Sequence, residues 1–446
     1  MKKALSIFIS ASLCGLSVSA SAENLADVYN QAKKSDPQLL RSAAQRDAAF
    51  ESITSSRSSL LPQINLTASY NYGEGYKGAK TKTKTKTKTN AVQAGIGLSQ
   101  ELYQRSSWVT LETTEKKARQ ADSAYAAKQQ DLILRTATAY FEVLRAKDSL
   151  EFVQAEKSAV ERQLDQEKQR FDVGLSAITN VHEAQAEYDS VLAEEVSAKN
   201  ALVNSYESLR EITGTGHQNL DILDIKRFSA SKSDKTNDAL VEQAQEENLS
   251  LLAARINQDI ARDNIRLASS GHLPSLTFNA DAGYGNGEIS GTDVDDTKYN
   301  LGINLSVPLY TGGNVSSQVK QAEYDYVAVS EDLEASYRSV VKTVRASNNN
   351  IDATIGSIRA FEQSLVSAES ALSAVETGYE VGSRTVVDVL DFTRRVFEAK
   401  RNLSDARYNY IISVLQLKEA VGTLSEQDIL DINDGLKPAP VESKNS

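Results

Sequence analysis

Two carboxylates three residues apart, Asp388 and Asp391, form the most suggestive chemical pair in this 446-residue chain. The spacing puts both on one helix face, among Val386, Val387, Val389 and Leu390. Spacing alone leaves a cation-attracting site and an ordinary solvated face equally open. Other chemistry is thin. His182, His217 and His272 have no ligand spacing and form no H-E-x-x-H, so no metal site is expected. No nucleophile–base constellation is visible. Gly283-Tyr284-Gly285-Asn286-Gly287 precedes a hairpin loop rather than a helix, which makes it a turn and not a nucleotide cradle. The expectation is a protein with no catalytic, cofactor-binding or metal residues, one that is not an enzyme.

The elements that must position Asp388 and Asp391 start with the N-terminus. Met1-Lys2-Lys3, an apolar run from Ala4 to Leu16 and Ala20-Ser21-Ala22 before Glu23 read as a cleaved secretory signal, residues 1–22. Cys14, the single cysteine, lies inside it, so the mature chain is expected to have neither disulfides nor thiol chemistry. Cleavage would remove Lys2 and Lys3 and no acid, leaving 47 basic against 60 acidic residues, a net charge of −13. That charge argues against nucleic acid as a partner. No later stretch approaches the roughly 18 consecutive apolar residues of a membrane helix. An exported chain of this kind is either soluble in the periplasm or crosses the outer membrane as a barrel.

Six prolines occur, with none between Pro62 and Pro274 and none between Pro308 and Pro438. Proline breaks helix interiors, so these tracts leave room for very long helices. Ile358, Phe361, Leu365, Ala368, Leu372, Val375 and Tyr379 step by three and four, the spacing of a coiled-coil seam. From Asn314 to Tyr379 the pattern predicts a rod near 100 Å long, at about 1.5 Å per residue. Ser107 to Phe171 reads the same way.

The chain also repeats itself. Phe171-Asp172-Val173-Gly174 lies 208 residues before Tyr379-Glu380-Val381-Gly382, and the same offset carries Leu150 to Ile358 and Gly214 to Gly422 without a gap. Farther upstream an offset of 212 takes Leu39-Leu40 to Leu251-Leu252 and Leu61-Pro62 to Leu273-Pro274. A duplicated helix–strand–strand–helix–helix unit explains both. The expected division is residues 23–230, with a β-hairpin near 62–104 and a coiled-coil hairpin near 106–214. A second unit, 231–431, holds a β-hairpin near 274–310 and a coiled-coil hairpin near 314–422, and residues 432–446 follow as a polar tail.

The variable segments alternate with period two. Ile64, Leu66, Ala68, Tyr70 and Tyr72 interleave with polar residues, as do Val92, Ala94, Ile96 and Leu98; Leu276, Phe278, Ala280 and Ala282; and Tyr299, Leu301, Ile303 and Leu305. Four strands of about ten residues, apolar on one face, fit a transmembrane barrel. Tyr70, Tyr72, Tyr103, Tyr284, Tyr299 and Tyr310 near their ends resemble interfacial girdles. The Lys80-Thr81 to Lys88-Thr89 run is expected in an extracellular loop, solvated, with contact to lipopolysaccharide phosphates as the sharper alternative. Four strands cannot close in lipid, so the chain must oligomerise. Two copies would give a side-chain-filled lumen, whereas three would give an open, wet one, which favours a homotrimer. A passive porin would not need coils near 100 Å. A periplasmic coiled-coil scaffold would not need four lipid-length strands.

From Glu23 to about Asp431 the chain resembles the TolC family of outer-membrane efflux and secretion channels. The matching segments are His272-Leu273-Pro274, Val307-Pro308-Leu309-Tyr310-Thr311-Gly312-Gly313, Ser317-Gln318-Val319-Lys320-Gln321-Ala322 and Gly378-Tyr379-Glu380-Val381-Gly382, leading into Val386-Val387-Asp388-Val389-Leu390-Asp391. The resemblance implies a trimer in the outer-membrane lipid, with a twelve-stranded barrel and a twelve-helix periplasmic tunnel. It implies multidrug efflux, type I protein secretion or both, through a periplasmic adaptor and an inner-membrane pump of RND, ABC or MFS type. Adaptor docking would fall on the hairpin tips Val173, Gly174, Leu175, Val381, Gly382 and Ser383.

The resemblance further implies that Asp388 and Asp391 line the narrowest part of the periplasmic entrance. Six carboxylates in one ring would raise some of their pKa values and attract cations. The entrance would be held shut through Gln169, Thr179, Tyr379 and Arg384. The family pattern puts an aspartate after Thr179, where this chain has Asn180. An amide still accepts from Tyr379 and Arg384 but without the charge-assisted part, so a less tightly held closed state is expected.

Overall fold

The structure, a computed structural model, describes residues 23–78, 84–289 and 292–439. The expected signal segment, the 79–83 part of the lysine–threonine run and the last seven residues lie outside those ranges. The chain runs α1 (Leu25–Ser35), α2 (Pro37–Ser58), β1 (Gln63–Gly78), β2 (Lys84–Gln104), α3 (Arg105–Asp172), α4 (Ile178–Thr213) and β3 (Ile222–Leu223). It then repeats as α5 (Asn237–Glu247), α6 (Leu249–Ser269), β4 (Ser275–Ile289), β5 (Thr292–Ser306), α7 (Asn314–Glu380) and α8 (Val386–Val421), closing with α9 (Glu426–Asn433) and β6 (Leu436–Lys437).

Each unit opens on two helices, where the pattern suggested one. Asp36 stops α1 and caps α2, its carboxylate accepting from the Leu39 amide at 2.8 Å, with Pro37 in the first helical position. Asn248 does the same between α5 and α6, accepting from Leu251 at 3.0 Å. Asp36 is buried and paired with Arg135 at 2.8 Å, so the bend is pinned to the middle of α3.

The strands form one antiparallel sheet in the order β1-β2-β4-β5. Leu66 pairs with Ile96, Ile96 with Ala282, and Ala282 with Tyr299, one apolar row across the sheet. The neighbouring row, Asn65, Gly97, Asp281 and Asn300, is polar. The apolar face is bare: Leu66, Leu301 and Ile303 are exposed. At 15 to 21 residues the strands exceed the expected ten. Lys84–Thr89 belongs to β2, paired with Gly73–Gly78, so this half of the run is strand and not loop. Its own period-two alternation suits a strand standing beyond the lipid-height apolar rows. Both outer strands, β1 and β5, keep an unpaired edge.

Strand β2 passes into α3 without an intervening residue. With 68 and 67 residues, α3 and α7 are each about 100 Å long at 1.5 Å per residue. The shorter α2 and α6 lie along the strand-proximal parts of α3 and α7, and the 36-residue α4 and α8 return along their far parts. Ile358, Val375 and Tyr379 of the seam are buried. Among the described residues no helix is long and apolar enough to cross a membrane.

The largest core lies midway along α3, where Leu132, Tyr140, Phe141 and Leu144 pack with Leu25, Leu415 and Ile429. Fully burying each such side chain is worth about 1.5–3 kcal/mol. The described part of the segment expected to be a polar tail, 432–439, packs on this core. α9 runs to Asn433, and Leu436 of β6 is buried where β6 pairs with β3. A second apolar cluster lies at the hairpin ends, with Val160, Leu164, Ala184, Val375 and Val386.

Candidate functional site

Each long hairpin turns on a glycine in the left-handed region, Gly174 at φ 75° and Gly382 at φ 76°. In both turns a residue just past the helix reaches back to close it. The Leu175 amide donates to the Arg170 carbonyl at 2.7 Å, and the Ser383 amide to Gly378 at 2.8 Å. The tips push apolar side chains into solvent: Val173, Leu175 and Val381 are 70 to 75% exposed.

The returning helices start differently. Thr385 and Asp388 form a reciprocal capping box, with the Asp388 carboxylate accepting from the Thr385 amide and hydroxyl at 2.9 Å each. These bonds, first the backbone one, hold the Asp388 carboxyl below the usual aspartate range, and the charge of Arg384 adds to them. Asp391 on the next turn pairs with Arg394 at 2.5 Å and Arg395 at 2.7 Å. One chain therefore offsets the charge of Asp391 more fully than that of Asp388. In the first unit Ala177 replaces the capping threonine, and Asn180 stands where the repeat has Asp388. The Asn180 amide donates instead to the Ser176 hydroxyl at 3.1 Å.

Within one protomer the expected gate residues are only partly gathered. Tyr379 is buried, and its hydroxyl donates to Glu167 on α3 rather than to Asn180. Arg384 lies over Gly378, where a Cβ would meet its Cγ at 2.8 Å. Gln169 and Thr179 are exposed. The chain-internal cluster consists of residues the pattern did not single out. Glu167 is fully buried, Gln163 donates to it at 3.2 Å, Ser176 donates at 2.7 Å, and the Arg170 guanidinium lies 4.9 Å from the Tyr379 ring centre. One signal for Glu167 was present: the 208-residue offset aligns it with Val375, a seam position.

A bare-faced sheet with open edges, joined directly to helices near 100 Å long, defines the class: an outer-membrane barrel continued by a helical tunnel. The family model for "Outer membrane efflux protein" matches residues 28–215 and 240–423, once in each unit, and the chain belongs to that family. It is 63% identical to the outer membrane protein TolC of Vibrio cholerae, across 98% of this chain and all of that protein. It is 27% identical to the proteases secretion protein PrtF of Dickeya chrysanthemi, across 99% of this chain and 97% of that one. The fold matches the Campylobacter jejuni CmeC outer membrane channel with a TM-score of 0.78 at 17% identity, covering 93% of this chain and 90% of that one. The protein is an outer-membrane exit channel that extends into the periplasm, in which three copies of four strands close a twelve-stranded barrel.

Proposed function

We propose that the trimer is the exit duct of tripartite export machines, serving both small-molecule efflux and one-step protein secretion. An inner-membrane pump of RND, ABC or MFS type would pass its cargo through a periplasmic adaptor into the tunnel mouth. The observation that carries this reading is the direct run of β2 into α3, which makes barrel and tunnel one continuous wall. A pore serving the outer membrane alone would need no wall reaching about 100 Å beyond it.

The exposed apolar tips, Val173-Gly174-Leu175 and Val381-Gly382-Ser383, supply two similar docking points per chain for the adaptor, six in a trimer. Asp388 and Asp391 face the narrowest part of the entrance, where three copies concentrate negative charge and select for cations. The Thr385 bonds that lower the Asp388 pKa favour its charged form. Tyr379, Arg384, Gln169, Thr179 and Asn180 hold neighbouring coiled coils together when the entrance closes.

Deleting the gene is expected to sensitise cells to detergents and dyes and to leave a type I secreted protein inside the cell, both reversed by a plasmid copy. The charged tip variant Val173→Asp/Val381→Asp should restore the outer-membrane trimer without restoring export. Unchanged sensitivity and secretion on deletion would overturn the proposal.

A further inference from the structure

We infer that Glu167 is the acidic half of the entrance latch, supplying from α3 the carboxylate that the family pattern places at position 180. The inference rests on the gate reading above and names a residue that reading does not contain.

The α3 seam runs through Val153, Val160 and Leu164 to Glu167, all buried. At the equivalent position of the second unit the seam keeps Val375, also buried. A carboxylate in such a slot loses its water and is tolerated only with hydrogen-bond donors around it. Glu167 has three: Gln163 on its own helix, Ser176 in the turn that follows, and Tyr379 from the last turn of α7. The first two lie within the first hairpin. The third comes from a residue 212 positions away and joins the first hairpin to the second.

Parting the two hairpins at the entrance breaks that one bond and exposes the Tyr379 hydroxyl and a carboxylate together. A hydroxyl donating to a carboxylate makes a stronger bond than one donating to an amide. The charge missing at Asn180 is therefore supplied to Tyr379 by Glu167 of the same hairpin. Asn180 has a supporting task, donating to Ser176, which in turn donates to Glu167. On this account the entrance is not loosened by having asparagine at position 180.

Replacing Glu167 with the residue of its repeat position separates latch from scaffold. Glu167→Val restores an apolar seam but leaves the Tyr379, Ser176 and Gln163 donors without their acceptor, so the trimer should still assemble while melting somewhat below wild type. In planar bilayers the same variant should raise mean single-channel conductance about tenfold, the effect of losing one charge-assisted bond of about 1.4 kcal/mol. Tyr379→Phe should do likewise, and the double variant no more than either alone. Glu167→Gln, closer in volume, is the second test if the valine variant assembles poorly, with the same direction expected. Asp165→Asn, an exposed carboxylate on the same helix, controls for charge alone and should conduct as wild type. Wild-type conductance in the Glu167 variants, or independent additive effects of Glu167 and Tyr379, would overturn the inference. An absence of currents from wild type would overturn the channel reading itself, and this inference with it.

Discussion

Buried carboxylates at the tunnel end differ according to what surrounds them. Glu195 of α4 accepts from Lys199 at 2.7 Å and from Lys157 of α3 at 3.0 Å, and these bonds, the Lys199 one first, bring its pKa down from 4.5 to about 2. Glu156 has one partner, Arg401 of α8 at 3.0 Å, and there burial outweighs the pairing and pushes the pKa up. The sign for Glu195 follows from linkage. Its folded pKa is depressed, so its stabilisation is complete above pH 4.5 and is lost as pH falls towards 2. Glu195→Gln should therefore lower the melting temperature at pH 7, with the gap to wild type narrowing below pH 4.5 and closing near pH 2. Thermal unfolding followed by circular dichroism reads this directly, and a gap independent of pH would show that packing and not charge is at stake. That Asp388 and Asp391 share one helix face was legible from their spacing of three residues. Glu167 was legible only through its repeat position, Val375; locally a glutamate among polar neighbours in a coil reads as solvent-facing, and its partner Tyr379 is 212 residues distant.

The long helices were legible almost to their ends, because a seam with steps of three and four, free of proline, has few alternatives. The strands were underestimated. Polar pairs such as Lys84-Thr85 and Asp295-Asp296 look like loop, yet they continue the ladder. The bends at Asp36 and Asn248 depend on side chains capping a backbone amide, a local choice that hydrophobic periodicity does not register. Element ends also set different tolerances for change. Gly174 turns in open space, so Gly174→Ala meets only the left-handed strain of about 1–2 kcal/mol. Gly422 ends α8 at φ 96°, and there a Cβ would lie 2.3 Å from the Glu247 carbonyl oxygen and 2.9 Å from the Asn248 Cα, at the α5–α6 bend. Gly422→Ala adds overpacking of about 1–3 kcal/mol to the same strain. Melting of the two variants should rank Gly422→Ala well below Gly174→Ala. Equal melting temperatures would mean that the bend yields freely.

At the scale of the molecule, one chain is an unfinished wall. The sheet has two open edges and a bare apolar face, and the coils leave apolar side chains such as Val196, Val203 and Val366 exposed. Lipid tolerates no unpaired strand edge, so assembly and membrane insertion are one requirement. The duplication gives the trimer six similar hairpins whose tips differ in pairs, Thr385-capped with Asp388 in one and Ala177-started with Asn180 in the other. The Asp388 carboxylate thus recurs only at every second hairpin, whereas the position of Asp391 carries an acid, Glu183, in the first unit as well. The most direct test is single-channel recording from the purified trimer in a planar bilayer, with a trivalent cation added to the periplasmic side. The account predicts block of wild-type currents, at least about tenfold weaker in Asp388→Asn/Asp391→Asn. Asp388→Asn alone should carry more of that change than Asp391→Asn, whose carboxylate already faces Arg394 and Arg395. Equal block of wild type and the double variant would contradict an acidic ring at the entrance, and a chain that forms no channel would contradict the duct.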